Sequence, residues 1–284
     1  FEELWGAIET VWPDTLRAVV SKELSEAISF NVLGMATVLR ARVPAARERN
    51  ELLMAAKLRT DAQRLEEAGA LPEGLERYAG QLDHVPVGIN PEQTIGTMMD
   101  DMRAFGDLCF KLGFEVLHNR TSTPFITTDN PVCFYDPEVP RHLRRPYEYR
   151  KELELIFPLD AWRLLRGSTR LAPVNSIIRH RGLSDPAGVR QMNRTIAQFG
   201  YGLYIARDRS ADELVRRYAG LCPTVEPYVF EGERSFFVYG AHIFGPRPVL
   251  SPFIDTPEKA ARLETMMAHD AESSLRASRV PRTE

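Results

Sequence analysis

Apolar residues recur at helical spacing through the first third of the chain and at strand spacing after it. Ile28, Val32, Met35 and Leu39 follow one another at intervals of four, three and four, the stripe of a helix with one buried face. Trp12-Pro13-Asp14 reads as a break before it, with Asp14 as the N-cap of a long helix over 15–42 that Pro44 ends. Leu52, Leu53, Ala56, Leu58 and Leu65 predict a second amphipathic helix over 45–68, closed by Gly69. Asn90-Pro91 opens a third, which runs to Leu112 and stops at Gly113. No strand longer than about three residues is expected in 1–112.

From Phe114 the period changes to two. Phe114, Val116 and His118 alternate with Glu115, Leu117 and Asn119, and 124–128 is again strand-like. The short polar run over 120–123 therefore predicts an antiparallel hairpin between 114–119 and 125–128. Further strands are expected at 152–159, 162–166, 201–206 and 235–244, with helices at 188–199, 211–218 and 256–276. Some strands arrive as neighbours and others across helices. That order predicts an α+β fold, a helical N-terminal third packed against a mixed, mostly antiparallel sheet. One domain is expected over 1–284: a helical region over 1–112, a sheet region with two helices over 113–250, and a closing helix over 256–276.

Composition narrows the class. With 44% hydrophobic and 26% charged residues the chain can bury a sizeable core. No apolar run of about 18 residues occurs, so no membrane span is expected, and the first residues do not read as a signal peptide. Cys109, Cys133 and Cys222 lie far apart in apolar surroundings and match no zinc spacing, which fits reduced thiols and a cytoplasmic location. A net charge of −3 dictates no partner. Residues 141–190 hold eleven Lys or Arg against five Asp or Glu. Because Glu148, Glu152 and Glu154 dilute that field, strong nucleic-acid binding is not expected.

No glycine-rich phosphate loop, dinucleotide fingerprint, Gly-x-Ser-x-Gly elbow or Cys-His signature occurs, so the motifs identify no cofactor and leave it unknown. Candidate chemistry comes instead from polar residues that apolar elements position. Phe125-Ile126-Thr127-Thr128-Asp129-Asn130-Pro131-Val132 ends a strand in Asp129, and Pro131 holds Asn130 extended. Asp129 reads either as a turn-former bonding backbone N–H groups just after it or as an active-site acid. Asp160 ends Leu155-Ile156-Phe157-Pro158-Leu159 in the same way, and two strand-end carboxylates could bind a metal or act as an acid–base pair. Asn193 falls on the buried face of the helix over 188–199, where its amide needs partners. Arg42 extends the stripe of Ile28 to Leu39, so its guanidinium either reaches inward to a carboxylate or caps its own helix. His118 shares a strand face with Phe114 and Val116, as His242 does with Phe236 and Val238; each reads as a core residue or a catalyst. His84, His142, His180 and His269 read as exposed.

In their order along the chain these segments resemble one bacterial family, the domain of unknown function 4238. The Phe125-to-Val132 run resembles its F-[IL]-T-[ST]-D-N-P-V core. Phe157-Pro158-Leu159, the Asn193 helix ahead of 201–206, and the helix end Arg42-Val43-Pro44 occur in the same order in that family. The likeness covers roughly residues 15–230. The Gln-His-x-x-Pro-x-x-Tyr-Leu stretch with which the family opens has no counterpart in this chain, and the resemblance implies no reaction. A polar pocket is expected around Asp129, Asn130, Asn193 and Arg42, with His118 as a second catalytic candidate and Asp160 as a further substrate ligand. Three readings stay open: a hydrolase of an anionic substrate with Asp129 as base or metal ligand, a non-catalytic interaction module of a defence or toxin-related system, and a nucleic-acid binder. An open cleft with converging groups favours the first; buried groups with every hydrogen bond satisfied favour the second.

Overall fold

The stripe over 28–39 lies on a helix shorter than its spacing predicts. The computed structural model describes residues 2–23, 25–82, 85, 87–89, 94–135, 137, 152–172, 178–219, 222–231 and 236–245. In 2–4, 95, 222–231 and 236–245 it describes the backbone alone. Helix α1 (Glu2–Ser21) runs through Pro13, and α2 (Glu26–Arg42) follows a separate turn. The expected break at Trp12-Pro13-Asp14 is therefore corrected to 22–25. Two interactions move it there. Lys22 and Glu23 donate their N–H groups back to Val19 and Ala18 at 3.2 and 2.9 Å, closing α1 with a Schellman turn. The Ser25 hydroxyl then accepts the Ile28 N–H at 3.2 Å and caps α2. Pro13 is carried inside α1 because Ile8, Trp12, Leu16 and Val19 keep the helix seated on the core. Helices α3 (Pro44–Glu67) and α4 (Thr94–Cys109) match their periodicity, and Gly69 takes the left-handed φ of 64° after α3. Among the described residues, no strand precedes Gly113.

The central sheet has the order β3-β4-β5-β1-β6, formed by Cys133–Tyr135, Glu154–Asp160, Arg163–Ser168, Gly113–Asn119 and Arg179–Leu183. Its pairs are antiparallel except β1 with β6, which run parallel. The hairpin expected between 114–119 and 125–128 does not form. Strand β1 pairs with β5 and β6, whereas β2 (Thr127–Thr128) pairs with β7 (Tyr204–Ile205). The turn after β1 explains this. Asn119 folds its amide over 121–123, donating to the Thr123 carbonyl at 2.6 Å and accepting from the Thr121 N–H at 2.9 Å. Arg120 N–H meanwhile bonds Leu183. Both edges of β1 are occupied, so the chain leaves the sheet and lies against α5 (Pro186–Phe199).

Strand alternation sends side chains to two cores. On one face Phe114, Val116, Phe134, Leu155, Phe157 and Leu165 meet Val32, Met35 and Phe105 of the N-terminal helices. On the other, Leu117, Ile126, Ile156 and Leu164 meet Val189, Ile196 and Phe199 of α5 and Val215 of α6 (Asp212–Tyr218). The fold is α+β, with the N-terminal helices on one side of a mixed, mostly antiparallel sheet. A hairpin of β8 (Cys222–Glu231) and β9 (Phe236–Gly245) lies beside α3. The closing helix expected at 256–276 falls outside the described residues.

Candidate functional site

The central motif lies against α5 and the turn that follows it. Asn193, 3% exposed, accepts the Ile126 N–H at 3.2 Å through Oδ1 and donates Nδ2 to the Pro124 carbonyl at 2.8 Å. Asn130 donates its side-chain amide to the Phe199 carbonyl at 3.1 Å, and its own N–H bonds the Thr128 hydroxyl at 3.3 Å. Asp129 accepts three backbone N–H groups: Tyr201 at 2.8 Å on Oδ1, and Gly202 and Leu203 at 2.8 and 3.1 Å on Oδ2. Its own N–H bonds the Leu203 carbonyl at 3.1 Å. The carboxylate does accept backbone N–H groups, but from a segment more than 70 residues away and not from the turn just after it.

Arg42 is not part of this arrangement. It is exposed, forms an ion pair with Glu9 at 2.5 Å and stacks over Trp5, because the last turn of α2 faces the start of α1. The expected four-residue polar pocket is thus corrected to a three-residue latch. Beside it lies a small, open depression of about 190 Å³, walled by Thr128, Ala197, Gly200, Leu203, Tyr204 and Val215. Its lining is largely apolar and brings in no carboxylate, imidazole or cationic side chain.

His118 and Asp160 belong to a second group, on the sheet face that carries the N-terminal helices. His118 Nε2 lies 2.7 Å from His180 Nδ1, and both rings are half-buried. Burial pushes the His118 imidazole down to about 4, helped by the nearby charges of His180, Lys22 and Arg163 and opposed by Asp160. Burial, then Lys22, lowers His180 as well. Asp160 accepts the Trp162 N–H at 2.7 Å and pairs with Arg163 at 2.6 Å. His180, expected at the surface, is the partner that sequence reasoning misses. Arg179-His180-Arg181 offers no apolar alternation, and β6 is recognisable only from the parallel pairing that β1 gives it.

The described residues of the basic region are largely neutralised. Arg166 bridges Glu115 and Glu154 at 3.2 and 2.6 Å, Arg181 grips Glu115 at 2.8 Å, and Arg170 pairs with Glu152 at 3.2 Å. Arg141, Arg144, Arg145 and Arg150 fall outside the described residues. Among the described residues no three His, Cys, Asp or Glu side chains are grouped to hold a metal ion, and no helix is long and apolar enough to cross a membrane. Cys109 is buried and its thiol is pushed up to about 12, so it holds no thiolate at neutral pH.

Compared with known proteins, residues 1–210 match the family described as protein of unknown function (DUF4238). No curated protein and no solved structure matches the chain.

Proposed function

The chain belongs to the DUF4238 family, and we propose that its central motif is structural and that the module acts by binding a protein partner, without Asp129 as a catalyst. The Asp129 carboxylate carries this reading, because three of its roughly four lone-pair sites already accept backbone N–H groups. A general base needs a free lone pair aimed at a substrate. Here three backbone donors converge on the two oxygens, and all three come from the segment leading into β7. What they hold in place is an apolar surface. Leu203, Tyr204 and Ile205 are 60, 37 and 58% exposed, beside a depression without ionised groups. Exposed apolar side chains on a short outer strand suit an extended peptide segment laid along β7.

Asp129→Asn tests the reading, because it keeps the shape and replaces an acceptor oxygen with a donor. Losing charge-assisted bonds of this kind costs about 1.5–3 kcal/mol. The variant is expected to melt several degrees below the parent, while the folded fraction keeps any affinity the parent has. A variant that melts with the parent yet has lost an activity the parent shows would return Asp129 to the role of catalyst.

A further inference from the structure

We propose that Arg120, Arg163, His118, His180 and Lys22 form a binding site for a phosphate-class oxyanion, separate from the latch at Asp129. The sheet register places Arg163, His118 and His180 on one face. Arg163 of β5 sits directly opposite His118 of β1 in the antiparallel pair. In the parallel pair, Val116 is opposite His180 and His118 is opposite Gly182. Registered neighbours point to the same side of a sheet. Arg163, His118 and His180 therefore form a row across three adjacent strands, and the two imidazoles touch at 2.7 Å.

Gly182 completes the row by having no side chain. A Cβ built there would lie 2.8 Å from Arg120 Nε and 3.0 Å from its Cζ. The Arg120 guanidinium thus occupies the space that a side chain would fill at Gly182, the residue opposite His118. Any residue other than glycine would push it away.

Two further observations point to an absent acceptor. Arg163 gives Nη1 to Asp160, but its Nε is buried without a hydrogen-bond partner among the described residues. Buried guanidinium N–H groups are nearly always paired, and an incoming oxygen would satisfy this one. Lys22 occupies the residue just beyond α1 in the left-handed conformation, φ 60°. Glycine is the ordinary residue there because a Cβ is unfavourable. The lysine that stands there, whose charge is felt at both imidazoles, adds a cation to the group.

The charges that face the imidazoles select the sign of the ligand. Lys22 and Arg163 are positive; Asp160 is negative and already held by Arg163 and the Trp162 N–H. Arg120 adds a third cation. A metal cation would be repelled by this set. A dianion would be attracted, and it would favour the protonated form of both rings, which then become further donors.

The test uses the full chain with inorganic phosphate as probe. The two imidazoles are titrated by NMR in phosphate and in chloride at matched ionic strength. Phosphate is expected to raise both imidazole pKa values and to saturate. Arg120→Gln, a change at an exposed side chain, is expected to weaken phosphate binding about ten-fold, equivalent to about 1.4 kcal/mol, with no change in melting temperature. Lys22→Gly separates a ligand role from a structural one, because it is expected to weaken phosphate binding and raise the melting temperature together. Glycerol phosphate binding more tightly than inorganic phosphate would assign the site to a phosphorylated small molecule; the reverse order would assign it to the free ion, and either supports the proposal. Identical imidazole titrations in phosphate and chloride would overturn it. So would Arg120→Gln and Lys22→Gly variants that bind phosphate as the parent does.

Discussion

Asn193 shows how a buried polar side chain fixes the motif at residue scale. Its carbonyl takes the Ile126 N–H and its amide serves the Pro124 carbonyl, so one side chain satisfies two backbone groups of a segment that has left the sheet. The need for partners is legible in the sequence, because Asn193 shares the helix face of Ile196 and Ala197. Their identity is not, since they lie 67 and 69 residues away. The same holds for Asp129, whose acceptor role is readable but whose donors come from the turn between α5 and β7. At the other site the histidines give a pH prediction. Burial and neighbouring cations place the folded His118 pKa near 4 and lower His180, against an ordinary value of about 6.5. A folded pKa below the unfolded one means that the unfolded chain takes up the proton first. The pair's contribution to stability is complete above about pH 6.5 and is lost as pH falls toward about 4. Urea midpoints of the parent should fall across that window more than those of a His118→Gln/His180→Gln variant, which removes the pair but leaves the carboxylates. Parallel pH profiles would show that the pair contributes nothing.

At the scale of elements, periodicity is a good guide wherever one face of an element is buried. The stripes of α2 and α5 are legible because each packs one side on a core, and β1 is legible from its strand period although it is buried on both faces. Pairing partners are not, as β1 shows: its nearest strand-like neighbour in sequence is diverted by the Asn119 turn, and β5 and β6 take its two edges. Strand β6 escapes a reading by period because its polar residues follow none. Pro13 fails as a stop signal because packing outweighs a local preference. An interior proline removes one helical hydrogen bond and crowds the carbonyl of the residue four before it, here Glu9, at a cost of ~3 kcal/mol. Since α1 is helical on both sides of it, Pro13→Ala is expected to stabilise the chain by up to ~3 kcal/mol, read as a higher urea midpoint with unchanged slope. A lower midpoint would mean that the proline shapes the seat of α1 on the sheet in a way alanine does not reproduce.

For the whole molecule the central question is whether the N-terminal helices and the sheet fold together. Strands β1, β4 and β5 each carry residues of both cores: Val116 and Leu117, Leu155 and Ile156, Leu165 and Leu164. Stripping α1, α2 and α4 from one face would leave Phe114, Phe134, Phe157 and Leu165 in water, at about 1.5–3 kcal/mol for each large side chain. Together that is about 6–12 kcal/mol, comparable to the whole stability of a domain, about 5–15 kcal/mol, so helices and sheet are expected to unfold as one unit. The three tryptophans of the chain make this measurable. Trp5 and Trp12 lie in α1, and Trp12 stacks on Phe157 of the sheet with ring centroids 6.2 Å apart. Trp162 lies in the turn between β4 and β5, under the Arg207 guanidinium. Two variants, one keeping only Trp12 and the other only Trp162, report the helices and the sheet separately by fluorescence. In each variant the fluorescence midpoint should coincide with the far-ultraviolet circular dichroism midpoint, because all probes follow a single transition. A Trp12 signal lost at lower urea than the circular dichroism of the same variant, with Trp162 lost later, would divide the chain into a helical unit and a sheet unit that unfold independently.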